Sequence, residues 1–208
     1  KDLALLAKYT VENHPELYQM YELNEFTYNG IKQDNRNPLL FTFDGADGFK
    51  TGYTEAAGYG IVGSAERGGR RLIIVLNGLE SSRSRAQESL RLMDWGFNNF
   101  ELVNFFEKNE LVFQANTWLG KKEKVELVAI EDIKVSIPKA QLSSANVDVL
   151  IEEPIQTPIS KGDVIANLQI SYADKKVIFP LAAGEDIEQK GFFSRISSAL
   201  YYIVLGSN

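Results

Sequence analysis

The 208-residue sequence contains no cysteine, one histidine, two tryptophans and two methionines. Without cysteine there are no disulfides and no thiolate zinc sites. A multi-histidine metal centre is excluded too, and a Ser-His-Asp triad would rest on His14 alone. His14 stands before Pro15, where a residue avoids the α region, so it reads as a helix exit. No metal and no cofactor are expected. No secretory leader is visible, and no apolar run reaches the roughly 18 residues needed to span a bilayer. Positive charge is also short: 22 Lys and Arg against 28 Asp and Glu give a formal net charge of -6. That balance argues against a nucleic-acid partner, because neutralising phosphates takes a surplus of cations. A local basic pocket for a single carboxylate stays open. The chain begins abruptly inside a helical pattern at Lys1-Asp2-Leu3, which reads as a mature or cut polypeptide.

What is present has the composition of a globular protein, 44% hydrophobic and 24% charged, and enough length for one large or two small domains. Residues 2–13 have helical spacing, with Leu3, Leu6, Ala7 and Val11 on one face, and helix is expected again near 15–21. Residues 25–38 are polar and turn-rich, with Asn29-Gly30 as a tight-turn signal. Strands are expected at 49–54, 57–65 and 70–77, the last two joined through Gly68-Gly69. Leu72-Ile73-Ile74-Val75-Leu76 is unbroken, so that strand should be covered on both faces. Ala86, Leu90, Met93 and Phe97 then mark a helix over 82–97.

The texture changes near residue 98. Short apolar or alternating runs, separated by turns such as Lys161-Gly162-Asp163, continue to about residue 183 and predict a small β-sandwich. The expected fold class is α+β: antiparallel strands backed by helices over 1–98, a β-rich domain over 99–186, and a tail over 187–208.

Chemistry concentrates in Asp47-Gly48-Phe49-Lys50-Thr51-Gly52-Tyr53-Thr54. Lys50 supplies positive potential, Thr51 a hydroxyl donor for a free carboxylate, and Gly52 lets another backbone lie against the strand edge. The three residues Lys-Thr-Gly alone are equally compatible with a solvated edge strand. Arg36 and Arg85, taken alone, could be ordinary surface charges.

Together with Glu25-Phe26-Thr27-Tyr28-Asn29-Gly30-Ile31, Asn35-Arg36-Asn37, Ser84-Arg85 and Leu92-Met93-Asp94-Trp95-Gly96-Phe97, this stretch resembles the low-molecular-mass penicillin-binding proteins. The resemblance is to the serine D-alanyl-D-alanine carboxypeptidases of the penicillin-binding protein 5 and 6 type, and it runs over essentially the whole chain. It implies removal of the terminal D-alanine from peptidoglycan pentapeptides ending in D-Ala-D-Ala, and β-lactam binding. It further implies a substrate-binding set of Lys50, Thr51, Gly52, Thr54, Arg36 and Arg85. Tyr53 departs from the histidine that many relatives carry there. The resemblance places the protein at the periplasmic face of a bacterial inner membrane.

The family's nucleophile motif, Ser-x-x-Lys, and its Ser-x-Asn motif should both precede Lys50, and neither does. Ser136-Ile137-Pro138-Lys139 and Ser144-Ala145-Asn146 match as strings but fall in the wrong order, and the first has a proline where a helical turn is needed. No catalytic residue is therefore assigned, and the chain alone is expected to be inactive. In the tail, Phe192, Phe193, Ile196, Leu200 and Ile203 line one side of a helix that could lie on a membrane surface or pack on protein. Two other readings are a non-catalytic binding or stalk module acting through the β-rich domain, and a β-lactamase relative. The latter should end soon after the helix at 82–97.

Overall fold

Residues 1–192 are described by the computed structural model. Phe193, Ile196, Leu200 and Ile203 of the expected amphipathic tail lie outside them; Phe192 is described, and exposed. The chain divides into two compact units, Lys1–Phe100 and Glu101–Asn208.

The first unit opens with α1 (Asp2–Asn13), which ends at His14 because Pro15 begins the short α2 (Pro15–Tyr18). A 3-10 turn, Gln19–Glu22, follows. Of the apolar stripe on α1, Ala7 is buried and Val11 packs beside it, whereas Leu3 and Leu6 are exposed. The turn-rich stretch is a hairpin of β1 (Glu25–Tyr28) and β2 (Ile31–Asp34). Asn29 (φ 49°) and Gly30 (φ 75°) take the left-handed conformations that a two-residue turn requires, so Tyr28 pairs directly with Ile31. The short apolar run Leu39–Phe43 is mostly one helical turn, α3 (Leu39–Thr42).

The main sheet has the order β3-β4-β5, all antiparallel: β3 (Ala46–Thr54), β4 (Gly58–Arg67) and β5 (Arg70–Leu79). Gly68 (φ 57°) and Gly69 (φ 73°) close the β4–β5 hairpin. Helix α4 (Ser82–Asn99) starts where the Ser81 hydroxyl accepts a 3.0 Å hydrogen bond from the Ser84 amide. Alternation along the strands splits the apolar residues between two layers. Ile61, Ala65, Leu72, Ile74 and Leu76 pack with Leu39 of α3 and Met93 of α4. Val62 and Ile73 pack instead with Ala7 of α1 and Tyr18 of α2. The unbroken run from Leu72 to Leu76 is thus explained, since helices cover β5 on both sides.

The second unit contains strands β6 (Phe100–Phe106, its first residue closing the first unit), β7 (Leu111–Trp118), β8 (Lys124–Ala129), β9 (Ile133–Pro138), β10 (Asn146–Leu150), β11 (Ile155–Gln156), β12 (Val164–Tyr172) and β13 (Lys175–Ala183). Six form one sheet in the order β10-β12-β13-β8-β7-β11, and β6 with β9 forms a second. Leu127, Leu168, Ile170 and Leu181 of the large sheet and Ile133 and Ile137 of the small one share a single core. Two features escaped the periodicity: β11 is two residues long, and a 3-10 turn occupies Lys139–Ser144. Ser136 therefore sits on an extended strand, with no helical turn to bring Lys139 beside it.

Among the described residues no helix is long and apolar enough to cross a membrane. Leu168 is fully buried at the middle of that core. Leu168→Ala is expected to destabilise the protein by about 2–5 kcal/mol in urea unfolding, the cost of lost burial plus an unfilled cavity.

Candidate carboxylate-binding site

Strand β3 forms one edge of its sheet, and a network of side chains fixes how it enters. Arg71, on β5, donates through Nη1 to the Asp47 carboxylate at 2.5 Å and to the Ser64 hydroxyl at 2.7 Å. Its Nη2 donates to Glu66 at 2.6 Å. The Tyr18 hydroxyl donates to the other Asp47 oxygen at 2.6 Å. One guanidinium thereby ties β5 to β4 and β3, and through Asp47 to α2. Burial works against the charge on Arg71, but Asp47 outweighs it and holds the group above its usual range. Tyr18 is raised well above the ordinary tyrosine value, chiefly by burial and then by its bond to Asp47.

The two asparagines around Arg36 act as backbone clamps. Buried Asn37 donates its side-chain amide to the Gly48 carbonyl at 2.8 Å and accepts from the Leu39 amide at 3.1 Å. Asn35 donates to the Leu23 carbonyl at 2.9 Å and accepts from the Asn37 amide. Arg36 is presented between them with its side chain exposed.

Register distributes the residues of the Lys50-Thr51-Gly52 strand. Thr51 lies opposite Ile61, on the face toward α4, and Tyr53 lies opposite Tyr59 on that same face. Thr51 is only 7% exposed, and its hydroxyl makes no hydrogen bond among the described residues. Lys50 is opposite Val62, on the α1 face; it is exposed, and its ammonium donates to the Thr51 carbonyl at 2.8 Å. Gly52 is exposed, and a Cβ built on it would meet nothing within 4 Å. No packing demand explains the glycine, so the strand edge is open at that point. The Thr54 hydroxyl accepts from the Ala57 amide at 3.0 Å and thereby closes the β3–β4 turn.

Arg85, on the first turns of α4, meets this face from below. It is 7% exposed. Its Nη2 donates to the Arg36 carbonyl at 3.4 Å and to the Ser82 hydroxyl at 3.2 Å, and the guanidinium lies 5.6 Å from the centre of the Tyr59 ring. Its Nε is buried with no hydrogen-bond partner. Burial pushes the guanidinium below its usual range; Tyr59 pulls the other way, and the like charge of Arg36 adds to the lowering. No acidic side chain pairs with Arg36, Lys50 or Arg85 among the described residues, although Arg71 in the same unit is fully paired.

The structure therefore brings Thr51, Arg36 and Arg85 toward one face, sets Lys50 on the other, and leaves Gly52 open between them. The sequence reading assigned no role to Tyr59, Asn35, Asn37, Asp47 or Arg71. The paired Asn-x-Asn around Arg36 was the signal for two of them; Tyr59 and Arg71 carry none, because their roles depend on cross-strand register. No group of three His, Asp or Glu side chains among the described residues stands where it could hold a metal ion.

The chain is similar to known proteins. Residues 1–80 match the family model for D-alanyl-D-alanine carboxypeptidase, and residues 100–189 match the model for the penicillin-binding protein 5 C-terminal domain. The chain is 38% identical over 199 residues to D-alanyl-D-alanine carboxypeptidase DacC of Escherichia coli (strain K12), covering 94% of this chain and 50% of that protein. It is 33% identical over 210 residues to DacA of Haemophilus influenzae, covering 99% of this chain and 53% of that relative. The crystal structure of penicillin-binding protein 5 from Haemophilus influenzae aligns with a TM-score of 0.82 at 33% identity, covering 90% of this chain and 56% of that one. The chain spans about half the length of the curated relatives it matches.

The Tyr18 shift gives a pH prediction. A proton held more tightly in the folded state adds stability below the unfolded tyrosine pKa of about 10, and that stability is lost as pH rises beyond it. Urea midpoints measured between pH 9 and 11 should fall with pH, and Tyr18→Phe should flatten that fall. An identical slope in both proteins would contradict the burial of an un-ionised Tyr18.

Proposed function

The chain belongs to the D-alanyl-D-alanine carboxypeptidase family, in its penicillin-binding protein 5 branch, and from that premise we propose that it forms the carboxylate-recognising wall of such an enzyme. The observation that carries the proposal is Arg85: a buried guanidinium with an unpartnered Nε and no acidic neighbour, beside a second arginine. Leaving such a donor buried and unsatisfied costs about 1–3 kcal/mol. A ligand carboxylate would remove that cost.

In this reading the carboxylate of the substrate's terminal D-alanine accepts from Arg85 and from the free hydroxyl of Thr51, with Arg36 and Lys50 adding positive potential. The penultimate residue lies along the β3 edge, where Gly52 leaves room for backbone pairing. A serine outside these residues attacks the carbonyl between the two D-alanines; its hydroxyl proton passes to the departing amine of the terminal D-alanine. Water then hydrolyses the acyl-enzyme ester and restores the serine. A β-lactam presents a similarly placed carboxylate, and its ring amide opens on the same attack. Peptidoglycan pentapeptide is the substrate in this proposal, and the periplasmic face of a bacterial inner membrane is where it would be met.

Labelling with a fluorescent penicillin tests the proposal. The 208-residue chain should stay unlabelled, whereas a polypeptide that also carries the family's Ser-x-x-Lys segment should be labelled. Labelling of the 208 residues alone would overturn the absence of a nucleophile. In the longer protein, Arg85→Ala should slow acylation by about ten- to a hundredfold, the loss of one charge-assisted hydrogen bond. Gly52→Val should leave the melting temperature unchanged while slowing acylation; a fall in melting temperature of equal consequence would make Gly52 a packing residue instead.

A further inference from the structure

Arg85 has few restraints for a buried side chain that must meet a planar carboxylate. Both of its hydrogen bonds run from one terminal nitrogen, at 3.2 and 3.4 Å, to Ser82 and to the Arg36 backbone. A guanidinium held at one corner can still swing about its long stem. The third contact is the Tyr59 ring, whose centre lies 5.6 Å from the guanidinium carbon. An aromatic face attracts the cation and limits its rotation without using any of its N–H donors.

Tyr59 sits beside an irregularity in the β4–β5 ladder. It lies on β4 opposite Leu79 of β5, while its near neighbour Ile61 lies opposite Leu76, so an extra residue bulges out of β5 at that point. Bulges of this kind re-aim side chains. Gly58 (φ 67°) and Gly60 flank Tyr59, which frees its backbone from side-chain crowding. On the other side it pairs with Tyr53, ring centres 4.4 Å apart and tilted by 37°. Tyr53 remains 56% exposed, directly after Lys50-Thr51-Gly52. The contacts run in one line, from the exposed strand edge through Tyr53 and Tyr59 to Arg85.

We propose that Tyr59 is a positioning residue for carboxylate recognition: backed by Tyr53, its ring holds the Arg85 guanidinium in the orientation that meets the ligand's carboxylate. Tyr59 acts through Arg85 and need not touch the ligand. The inference rests on the carboxylate-binding role proposed above for Arg85.

A ligand with and without its negative charge separates this role from general support of the fold. The test uses the complete carboxypeptidase that carries these residues, with benzylpenicillin and benzylpenicillin methyl ester as acylating probes. Tyr59→Leu should slow acylation by the free acid about tenfold and change the ester rate less than about twofold, because the ester has no charge for Arg85 to hold. Tyr59→Phe keeps the ring and should keep the acid-to-ester ratio of the unmutated enzyme. With a D-Ala-D-Ala peptide, Tyr59→Leu should raise KM with little change in kcat. Equal losses for acid and ester, or no loss for the acid, would overturn the positioning role while leaving the enzyme assignment intact. Failure of the unmutated enzyme to acylate with benzylpenicillin would overturn both. If Tyr59→Leu does not fold, Tyr53→Leu decides, since its exposed ring can be removed without emptying a core. It should lower the acid-to-ester ratio about threefold, and an unchanged ratio would overturn the proposal.

Discussion

The bond between Asp47 and Arg71 governs where β3 lies, and the rest of the first unit follows from that placement. Arg71 reaches from β5 past Ser64 on β4 to Asp47 on β3, and Asp47 in turn accepts from Tyr18 of α2. A partly buried charge pair stabilises when further hydrogen bonds satisfy its members, as Ser64, Glu66 and Tyr18 do here. Four residues further along the strand, the consequence is that Thr51 turns toward α4 and Gly52 lies at the open edge. The Asn37 amide holds the Gly48 carbonyl from the other side.

Two arginines of the same unit show how environment sets the state of one residue type. Arg71 has acidic partners on two nitrogens and is raised. Arg85 has none among the described residues, keeps a buried Nε without a bond, and is lowered. Nothing in the residue type distinguishes them. The unsatisfied one keeps a buried donor unpaired, and the satisfied one ties β3 to its sheet. The second unit meets different demands: Leu127, Leu168, Ile170 and Leu181 pack with Ile133 and Ile137 in an apolar core closed by two sheets.

Much of the architecture was legible because hydrophobic period maps directly onto element type. The strands β3, β4 and β5 and the helix α4 fall close to the expected ranges, and the unbroken Leu72–Leu76 run signalled a strand covered on two sides. The misses fall in short elements. The two-residue β11 and the four-residue α3 span about one period each, too little to establish a pattern, and the strands around Asn29-Gly30 are four residues long and exposed on every residue. Leu3 and Leu6 matched a helical stripe that packs only at Ala7 and Val11.

By itself, the sequence determined the family, the α+β order of elements and the place of the Lys50-Thr51-Gly52 strand, because each is written in local pattern and in spaced motifs. It also showed that no Ser-x-x-Lys precedes that strand. Tertiary structure alone decided that Thr51 and Lys50 face opposite sides of the sheet, that Arg85 is buried without an acid, and that Tyr59 backs it. Those facts depend on register and on side chains reaching across strands. A guanidinium's partner can lie dozens of residues away, and only the folded chain brings the two within bonding distance.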